Sequence, residues 1–406
     1  MRKSAKNVDI TDAKTVIPWA RDCIRRHYRR RDFMRLLLDH GLSVAEYDYA
    51  IATYDKSCFE KAIENIAEDV CERIKTRRLD LEPIQYRDRF DQTSRKWRKI
   101  GCESAMQQIF DYIAVYAAQD IFDRRIVLQQ MSSIKTRGQE RGVRMIRSWI
   151  VKDNKAAAYA RKHNIRFCKR NMYHVKLDVR QCFPSAKADV FLSLFARDCG
   201  NEDLLWLWGE LLETHHFGDY NGMMIGALTS GWAVQYMMSY VYRYAMDLHY
   251  TRRGQAKKSI TNSMFFMDDM LFCGANRAKL KQAVVKIIKF TAEKLQFEIK
   301  PNWYIHCIDD APIDMMGYVV HGNGKITIRG STYVHIRRNL LRYNVSKHYS
   351  QRQARRACSY YGKIKFADSR HIKAEYHSDV AKRAAAAVVS YFDRKVGTQH
   401  ANGVLQ

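Results

Sequence analysis

The chain has 406 residues, of which 47% are hydrophobic and 12% aromatic, a composition that excludes general disorder and predicts a globular protein with a sizeable core. Its 70 Lys and Arg residues outnumber 43 Asp and Glu residues, which gives a formal net charge of +27. A surface with that excess repels itself unless a polyanion lies against it. We therefore expect nucleic acid as the partner, in preference to a basic charge that serves only solubility.

The ten cysteines are scattered singly, without the CxxC pairs of a zinc site or the density of a disulfide framework. We expect them to be small buried hydrophobes in a reducing compartment. The N-terminus lacks an apolar core of signal-peptide length, and no apolar run reaches the roughly 20 residues needed to span a bilayer. These features predict a soluble, cytoplasmic protein with no membrane partner.

Residues 11–80 carry the patterns of helices. This region includes the run RRHYRRR, Arg25 to Arg31, which is either a solvated helix face or a contact for phosphates. After Pro83 the sequence pattern changes to short segments typical of strands, which mix aromatic residues with Arg and Lys and end at Gly101.

The middle of the chain predicts a sheet. MYHVKLDV alternates at the period of a half-buried strand that ends at Asp178. FFMDDMLF has apolar arms around a two-residue tip, which predicts a hairpin with Asp268 and Asp269 at or near the turn. An amphipathic helix follows, then LQFEIK as a strand and a second hairpin around Asn323-Gly324. The order strand, helix, hairpin, helix, strand indicates an α+β domain with an antiparallel sheet of the split βαβ type.

Two adjacent aspartates in an apolar segment have two interpretations. Asp is a common turn residue, and Asp309-Asp310 is another such pair. Carboxylates that converge at one edge of a sheet can instead hold Mg²⁺, which prefers oxygen ligands. The third carboxylate, Asp178, favours the second interpretation, because its strand can lie beside the hairpin with its end next to the tip. Three carboxylates in a basic protein predict a two-metal site for phosphoryl transfer, with two Mg²⁺ ions per site and Mn²⁺ as a substitute.

These residues resemble a known family. VKLDVRQCF and FMDD resemble motifs A and C of prokaryotic reverse transcriptases of the small stand-alone type. Between them, MMIGALTSG resembles the motif B loop, and beyond them LQFEIKPNW resembles motif D and IDMMGYVV the primer-grip hairpin. Upstream, RKWRKI and SSIKTRGQERG resemble the fingers motifs. The specific signal is the ordered set, which runs over roughly residues 85–320.

The resemblance implies a right-hand polymerase with fingers, palm and a small helical thumb. Its expected regions are a basic helical N-terminal region (1–82), fingers (83–172), a palm with motifs A to E (173–320), and a thumb with a basic helical C-terminal region (321–406).

The resemblance also implies roles for single residues. Asp178 and Asp268 would be the principal metal ligands, joined by the backbone carbonyl of Val179. Asp269 would support the second metal or the primer end. Lys300 would be the general acid that protonates pyrophosphate. The implied nucleotide-binding residues are Phe183, Arg98, Lys99, Arg137, Gly226 and Ser230, and the implied primer-grip residues are Met316, Gly317 and Tyr318.

Phe183 matches the aromatic side chain that closes on the sugar where a ribose 2′-OH would sit. RNA polymerases of the palm type tend to have a carboxylate there, so an aromatic ring predicts dNTP over NTP. The loop from Gly226 to Ser230 would let the backbone approach the template and the nascent pair, because glycine has no side chain.

The chain departs from the family pattern at two positions. Phe266 stands where Tyr is usual, which removes a hydroxyl but no metal ligand. Gly231 follows Ser230 where enzymes of diversity-generating retroelements typically carry Gln, which counts against that subgroup.

The resemblance implies an RNA-directed DNA polymerase that makes cDNA from a dedicated noncoding RNA in bacterial antiphage defence. A diversity-generating retroelement enzyme is the second choice. Implied partners are the RNA template, dNTPs and the DNA product, while an accessory protein or a homo-oligomer is left open. The alternative from another class is a non-catalytic RNA-binding protein on a polymerase scaffold, and three mutually repelling carboxylates argue against it.

Overall fold

The computed structural model describes residues 3–91, 96–216 and 220–402, with the side chains of all of these except Asp91 and residues 392–402. The first residue of RKWRKI and the last four residues of the expected C-terminal region lie outside the described residues. The fold mixes helices and small antiparallel sheets and is 56% helical. Among the described helices, none is both long enough and apolar enough to cross a membrane.

The helices of the described chain, besides a short 3₁₀ helix at Ser57–Phe59, are α1 (Ala13–His27), α2 (Arg31–Asp39), α3 (Val44–Thr53), α4 (Glu60–Lys75), α5 (Ala105–Ala117), α6 (Gln119–Arg125), α7 (Gln139–Lys162), α8 (Cys182–Ser185), α9 (Ala188–Asp198), α10 (Glu202–Glu213), α11 (Leu228–Met246), α12 (Arg277–Leu295), α13 (Gly330–Ser346), α14 (Gln351–Phe366), α15 (Arg370–Glu375) and α16 (Ser378–Asn402). The strands are β1 (Gln85–Asp91), β2 (Lys96–Cys102), β3 (Tyr173–Asp178), β4 (His249–Arg252), β5 (Gln255–Lys258), β6 (Asn262–Phe266), β7 (Asp269–Gly274), β8 (Ile305–Cys307), β9 (Ile313–Met315), β10 (Tyr318–Val320) and β11 (Ile326–Ile328).

The chain divides into two compact units. The first unit comprises Met1–Leu128, Val179–Tyr242 and Ile288–Ile299, and the second comprises Gln129–Asp178, Arg243–Ile287 and Lys300–Gln406. Each unit draws on several separate stretches of chain, so the expected four regions stay a prediction.

The first unit is built mainly from helices around an aromatic core. The N-terminal region forms α1 to α4, as its sequence predicts, and α1 packs against α4 and α5. Strands β1 and β2 pair in antiparallel fashion after Pro83, which confirms the strands that the sequence pattern predicts there. One part of the core groups the fully buried rings of Phe122, Phe191, Phe195, Trp208 and Tyr236. The Phe191 and Trp208 ring centroids lie 5.0 Å apart, the separation of a favourable aromatic pair.

The second unit contains a four-stranded antiparallel sheet in the order β6-β7-β3-β8. Of these four strands β3 comes first in the chain and β8 last, and β3 lies between β8 and β7, the second strand of the β6–β7 hairpin. Helices occur in both connections, so the predicted order of a split βαβ sheet is observed. A three-stranded sheet, β9-β10-β11, includes the second hairpin predicted around Asn323-Gly324.

One predicted strand is wrong. LQFEIK forms a single backbone bridge, at Ile299, instead of a strand. Helix α12 runs on to Leu295, and Gln296 takes a left-handed φ of 57° that ends it. The outer strand of the sheet is Ile305–Cys307 instead, and it pairs with Tyr173–Val175 of β3.

The sheet encloses a histidine on the face of β3 that the alternation predicts to be open. His174 is 4% exposed, and its Nε2 lies 3.0 Å from the carbonyl oxygen of Ala311. Burial lowers the pKa of His174 to about 4.

This shift predicts acid sensitivity. Between pH 6.5 and 4, an unfolded chain binds a proton at His174 that the folded chain does not bind, so the free energy of unfolding falls as the pH falls. The expected loss is about 3 kcal/mol over that range. Denaturant unfolding of the wild type and of His174→Gln, compared at several pH values, measures it. An unchanged difference between the two proteins from pH 7 to 4 would contradict the assignment.

Candidate active site

The acidic pair lies on the β6–β7 hairpin of the second unit, as predicted. Phe266 pairs with Asp269 across the hairpin, so Met267 and Asp268 form the two-residue tip. Met267 has a φ of 58°, a left-handed conformation that is unfavourable for a side chain of this kind. Such backbone strain persists where surrounding structure holds it and is common at functional sites.

The third carboxylate is on the neighbouring strand. Asp178, the last residue of β3, is the cross-strand partner of Asp269. Directly opposed residues of an antiparallel pair have Cβ atoms only about 5 Å apart. The register therefore places Asp178 opposite Asp269 and next to Asp268 at the tip, and strand β3 lies beside the hairpin, as the sequence predicts.

Two lysines lie beside these carboxylates. Lys300 Nζ is 2.5 Å from Asp178 Oδ1, and the Lys300 backbone N–H donates to the Asp178 carbonyl at 2.9 Å. Lys176 Nζ is 3.9 Å from Asp269 Oδ1. Lys176 was not among the predicted residues. It could have been found, because residues two apart on a strand point to the same face, and Lys176 precedes Asp178 by that spacing.

The environment of Asp268 and Asp269 disfavours their charged, deprotonated forms. Burial raises the pKa of the Asp268 carboxyl to about 6, and the negative charges of Asp178 and Asp269 act in the same direction. Burial also raises the pKa of Asp269, while Lys176 and then Arg329 oppose that rise. A half-buried pair of like charges costs stability unless a cation compensates it.

The carboxylate oxygens of this site are chemically suited to bind a magnesium ion. Asp178 Oδ1 is buried and accepts no well-aligned hydrogen bond, although the Lys300 ammonium lies against it. Three carboxylates offer the oxygen ligands that Mg²⁺ prefers. Within residues 3–91, 96–216 and 220–402, however, no three Asp, Glu, His or Cys side chains converge closely enough to hold an ion as they stand. The Lys300 ammonium occupies the position of a cation at Asp178.

A second hairpin of the same unit carries the predicted primer-grip residues. Met316 and Gly317 form the tip between β9 and β10, and both have positive φ, 57° and 80°. Tyr318 begins β10 and is 1% exposed. Arg329 donates its backbone N–H to the Gly317 carbonyl at 3.1 Å and its Nε to Asp314 at 2.6 Å. Arg329 thus fixes the hairpin, and no motif in the sequence points to this residue.

The predicted motif B residues lie in the first unit. Gly226 has a φ of 124°, and a Cβ at this position would lie 2.8 Å from the carbonyl oxygen of Gly101. The Gly101 N–H donates to the carbonyl of Ile225 at 3.0 Å, so the two segments touch through their backbones. Ser230 is fully buried in α11, and its Oγ has no hydrogen-bond partner among the described atoms. The glycine therefore permits a close approach to β2.

This contact predicts that Gly226→Ala destabilises the fold by about 1–3 kcal/mol, because the new methyl group meets a carbonyl oxygen and the backbone is left-handed. Gly231→Ala is the matched control. A Cβ at Gly231 meets nothing within 4 Å, and alanine within helix α11 stabilises by about 0.5–1 kcal/mol. Denaturant unfolding of both variants measures the change in the free energy of unfolding, which should be opposite in sign for the two. Equal stabilities would refute the contact.

A buried carboxyl pair holds the start of the same helix. Asp111 is fully buried and accepts hydrogen bonds from the backbone N–H groups of Leu228 and Thr229, at 3.1 and 3.2 Å. Burial raises the pKa of Asp111 to about 7 and that of Glu103 well above its usual range. Asp111 thus caps the start of α11. Neither residue is evident from the sequence, because an isolated acidic residue in or just before an apolar helix has no distinctive spacing.

The other predicted nucleotide contacts are distributed over both units. Val179 and Phe183 belong to the first unit. Val179 is 1% exposed and forms a backbone bridge with Ile299, and Phe183 is half-buried on α8. Arg98 and Lys99 are exposed on β2. In the second unit, Arg137 donates to the carbonyl of Gln130 at 3.0 Å.

No protein-family model matches the chain, and no curated protein matches it. Solved structures similar to it include apo telomerase from Candida tropicalis, with a TM-score of 0.41 and 10% identity over 78% of this chain and 66% of that chain. The same telomerase truncated from its C-terminal domain has a TM-score of 0.41 and 10% identity over 81% of this chain and 84% of that chain. The chain thus spans just under two thirds of the first structure. Because both TM-scores are below 0.5, assignment of an activity rests on the residues of the site.

Proposed function

We propose that the protein is an RNA-directed DNA polymerase that works by two-metal nucleotidyl transfer. The observation that carries the proposal is the pairing of Asp178 with Asp269 on adjacent strands, with Asp268 at the hairpin tip. Three carboxylates crowded together in a chain of net charge +27 are costly for stability and suited to divalent cations that bind phosphates.

The proposed ligands are the carboxylates of Asp178 and Asp268 and the backbone carbonyl of Val179, with Asp269 in support. When bound there, Mg²⁺ would supply Lewis acidity that favours the attacking 3′-hydroxyl and the leaving pyrophosphate. Lys176 offsets the charge of Asp269, from which its Nζ is 3.9 Å away. Lys300 is the proposed general acid, because its ammonium carries a proton to the edge of the carboxylate group.

The remaining residues select and position substrates in this proposal. Phe183 excludes a ribose 2′-OH. Arg98, Lys99 and Arg137 would bind the triphosphate. The loop from Gly226 to Ser230 would lie against the nascent base pair, and the turn at Met316-Gly317 before Tyr318 would hold the primer. Fingers, palm and thumb are then the functional names for residues 83–172, 173–320 and 321–406.

The biological role we propose is synthesis of cDNA from a dedicated noncoding RNA in bacterial antiphage defence, in the cytoplasm, by a small stand-alone prokaryotic reverse transcriptase. This part rests on the motif resemblance alone. A diversity-generating retroelement is second, and Gly231 after Ser230 counts against it.

A non-catalytic RNA-binding protein is the second candidate function, and one observation favours it. Lys300 already neutralises Asp178, the carboxylate that a metal would need. A scaffold protein could keep the acidic group in this state permanently.

Primer extension decides between the two functions. The purified protein is incubated with an RNA template annealed to a DNA primer, dNTPs and Mg²⁺, and nucleic acid that copurifies with it is sequenced. We expect template-directed extension that requires Mg²⁺ or Mn²⁺, and copurifying RNA with cDNA complementary to it. RNA binding without any extension, under all divalent cations tried, would favour the scaffold.

A further inference from the structure

A small basic ribbon stands out in the second unit. Strands β4 and β5 pair only with each other in the described structure, with registers from His249↔Lys258 to Arg252↔Gln255. Every residue from Thr251 to Lys258 is exposed. A lone two-stranded hairpin is marginally stable in water, and this one has no apolar face to bury. Its retention in the fold therefore calls for a reason other than packing.

The charge of the ribbon is uncompensated. Arg252, Arg253, Lys257 and Lys258 lie on it, and in the described part of the chain no carboxylate is within ion-pair distance of these four. Residues 248–259 contain no Asp or Glu. The ribbon is a concentration of positive charge that is available to an anion.

The more conspicuous cluster at Arg25 to Arg31 differs in this respect. Arg25 pairs with Glu60 at 3.0 Å, Arg26 with Asp22 at 2.9 Å, and Arg30 with Asp32 at 2.5 Å. Much of that cluster is therefore neutralised within the fold. The ribbon is thus a better candidate for phosphate contact than the cluster from Arg25 to Arg31.

One face of the ribbon combines cations with an aromatic ring. Tyr250 is opposite Lys257, and Arg252 lies two residues along on the same face. From the start of α12, Lys279 places its Nζ 5.4 Å from the centre of the Tyr250 ring. Cations grouped around an aromatic ring suit a phosphate backbone with bases that can stack. The exposed Lys281 and Lys286 extend the positive charge along α12.

We propose that this basic ribbon, β4–β5 with Lys279, binds the phosphate backbone of RNA without reading its sequence, as an anchor separate from the carboxylate hairpin. The proposal rests on the proposed function only for the choice of RNA as the polyanion. An anionic membrane is a poorer partner, because interfacial binding needs apolar side chains to enter the lipid, and Thr251 to Lys258 offer none of size.

The test is a salt titration of RNA binding, without dNTPs or divalent cations, with a labelled single-stranded RNA as the probe. The variant R252Q/R253Q/K257Q/K258Q should weaken binding at least about tenfold at 100 mM salt, and its slope of log affinity against log salt should fall by about 2 to 3. A second variant, T251E/Q255E, adds negative charge to exposed positions and should act in the same direction. Thermal unfolding of both verifies the fold.

A matched control removes four cations that have carboxylate partners: R25Q/R26Q/K61Q/K289Q. It should retain the wild-type salt slope to within about one unit. Equal loss in the ribbon variant and the control, or an unchanged slope in the ribbon variant, would overturn the proposal. The proposal would also be overturned if the ribbon variant lost binding to phosphatidylserine vesicles while its binding to RNA stayed intact. Because no dNTP is present, the outcome is independent of whether the protein polymerises DNA.

Discussion

Replacing Asp178, Asp268 or Asp269 singly with Asn is expected to reduce Mg²⁺-dependent dNTP incorporation by on the order of 10³-fold or more, while RNA affinity stays within a few-fold of the wild type. Each substitution keeps the size of the side chain and removes one charge from the pair on β3 and β7 or from the tip between β6 and β7. Primer extension and RNA binding, measured on the same preparations, separate chemistry from binding.

The chain supplies a matched control in its other acidic pair. Asp310 is exposed, so Asp310→Asn removes the same charge from the second unit away from the hairpin tip. We expect it to extend primers as the wild type does. Extension within about tenfold of wild type in Asp178→Asn, or equal losses in Asp310→Asn, would refute the site.

Stability without Mg²⁺ gives a second readout of the same substitutions. Burial and neighbouring negative charge already raise the pKa of Asp268, so the charged carboxylate costs folding free energy near neutral pH. Asp268→Asn should therefore be at least as stable as the wild type in EDTA. Loss of activity together with a more stable fold is characteristic of a site kept for function. A misfolded variant would lose activity and stability together.

The acidic edge was predictable because period-two alternation fixes which residues of a strand share a face. With Asp178 at the end of one strand and a short acidic tip between two apolar arms, pairing in register leaves few ways to keep the apolar residues buried. A shift of one residue would turn Leu177 and Met270, now paired across the strands, toward the opposite face. The fold of the sheet and its carboxylates thus follow from local pattern and burial.

The remainder depends on contacts between segments that are distant in the chain. The ion pair of Arg25 is made with Glu60, and charge counting along the chain cannot distinguish Arg25 from an unpaired arginine. The burial of Ser230 likewise follows from packing of α11. Periodicity also predicts a strand at LQFEIK where there is none. Alternation over only six residues is equally compatible with a strand and with an irregular segment that forms a single bridge.

Phe183→Ala is the second substitution with a large expected effect, and it acts on selectivity instead of rate. Phe183 is half-buried on α8, where its carbonyl oxygen accepts a hydrogen bond from the Met223 N–H at 2.9 Å. That bond involves only the backbone, so alanine leaves it in place and removes the ring. If the ring excludes a 2′-OH, preference for dNTP over NTP should fall by about 10²-fold, the scale on which an apolar pocket rejects one added hydroxyl.

Competing incorporation of dNTP and NTP at a single template position measures this preference. Phe167→Ala is the matched control, since Phe167 is 39% exposed and belongs to the second unit, outside the predicted nucleotide contacts. It should keep the wild-type preference. Unchanged sugar selectivity in Phe183→Ala would remove Phe183 as the gate and leave the metal ligands untouched, because the carboxylates act on phosphate oxygens whichever sugar is bound. Loss of selectivity in the control as well would point to a general loosening of the fold.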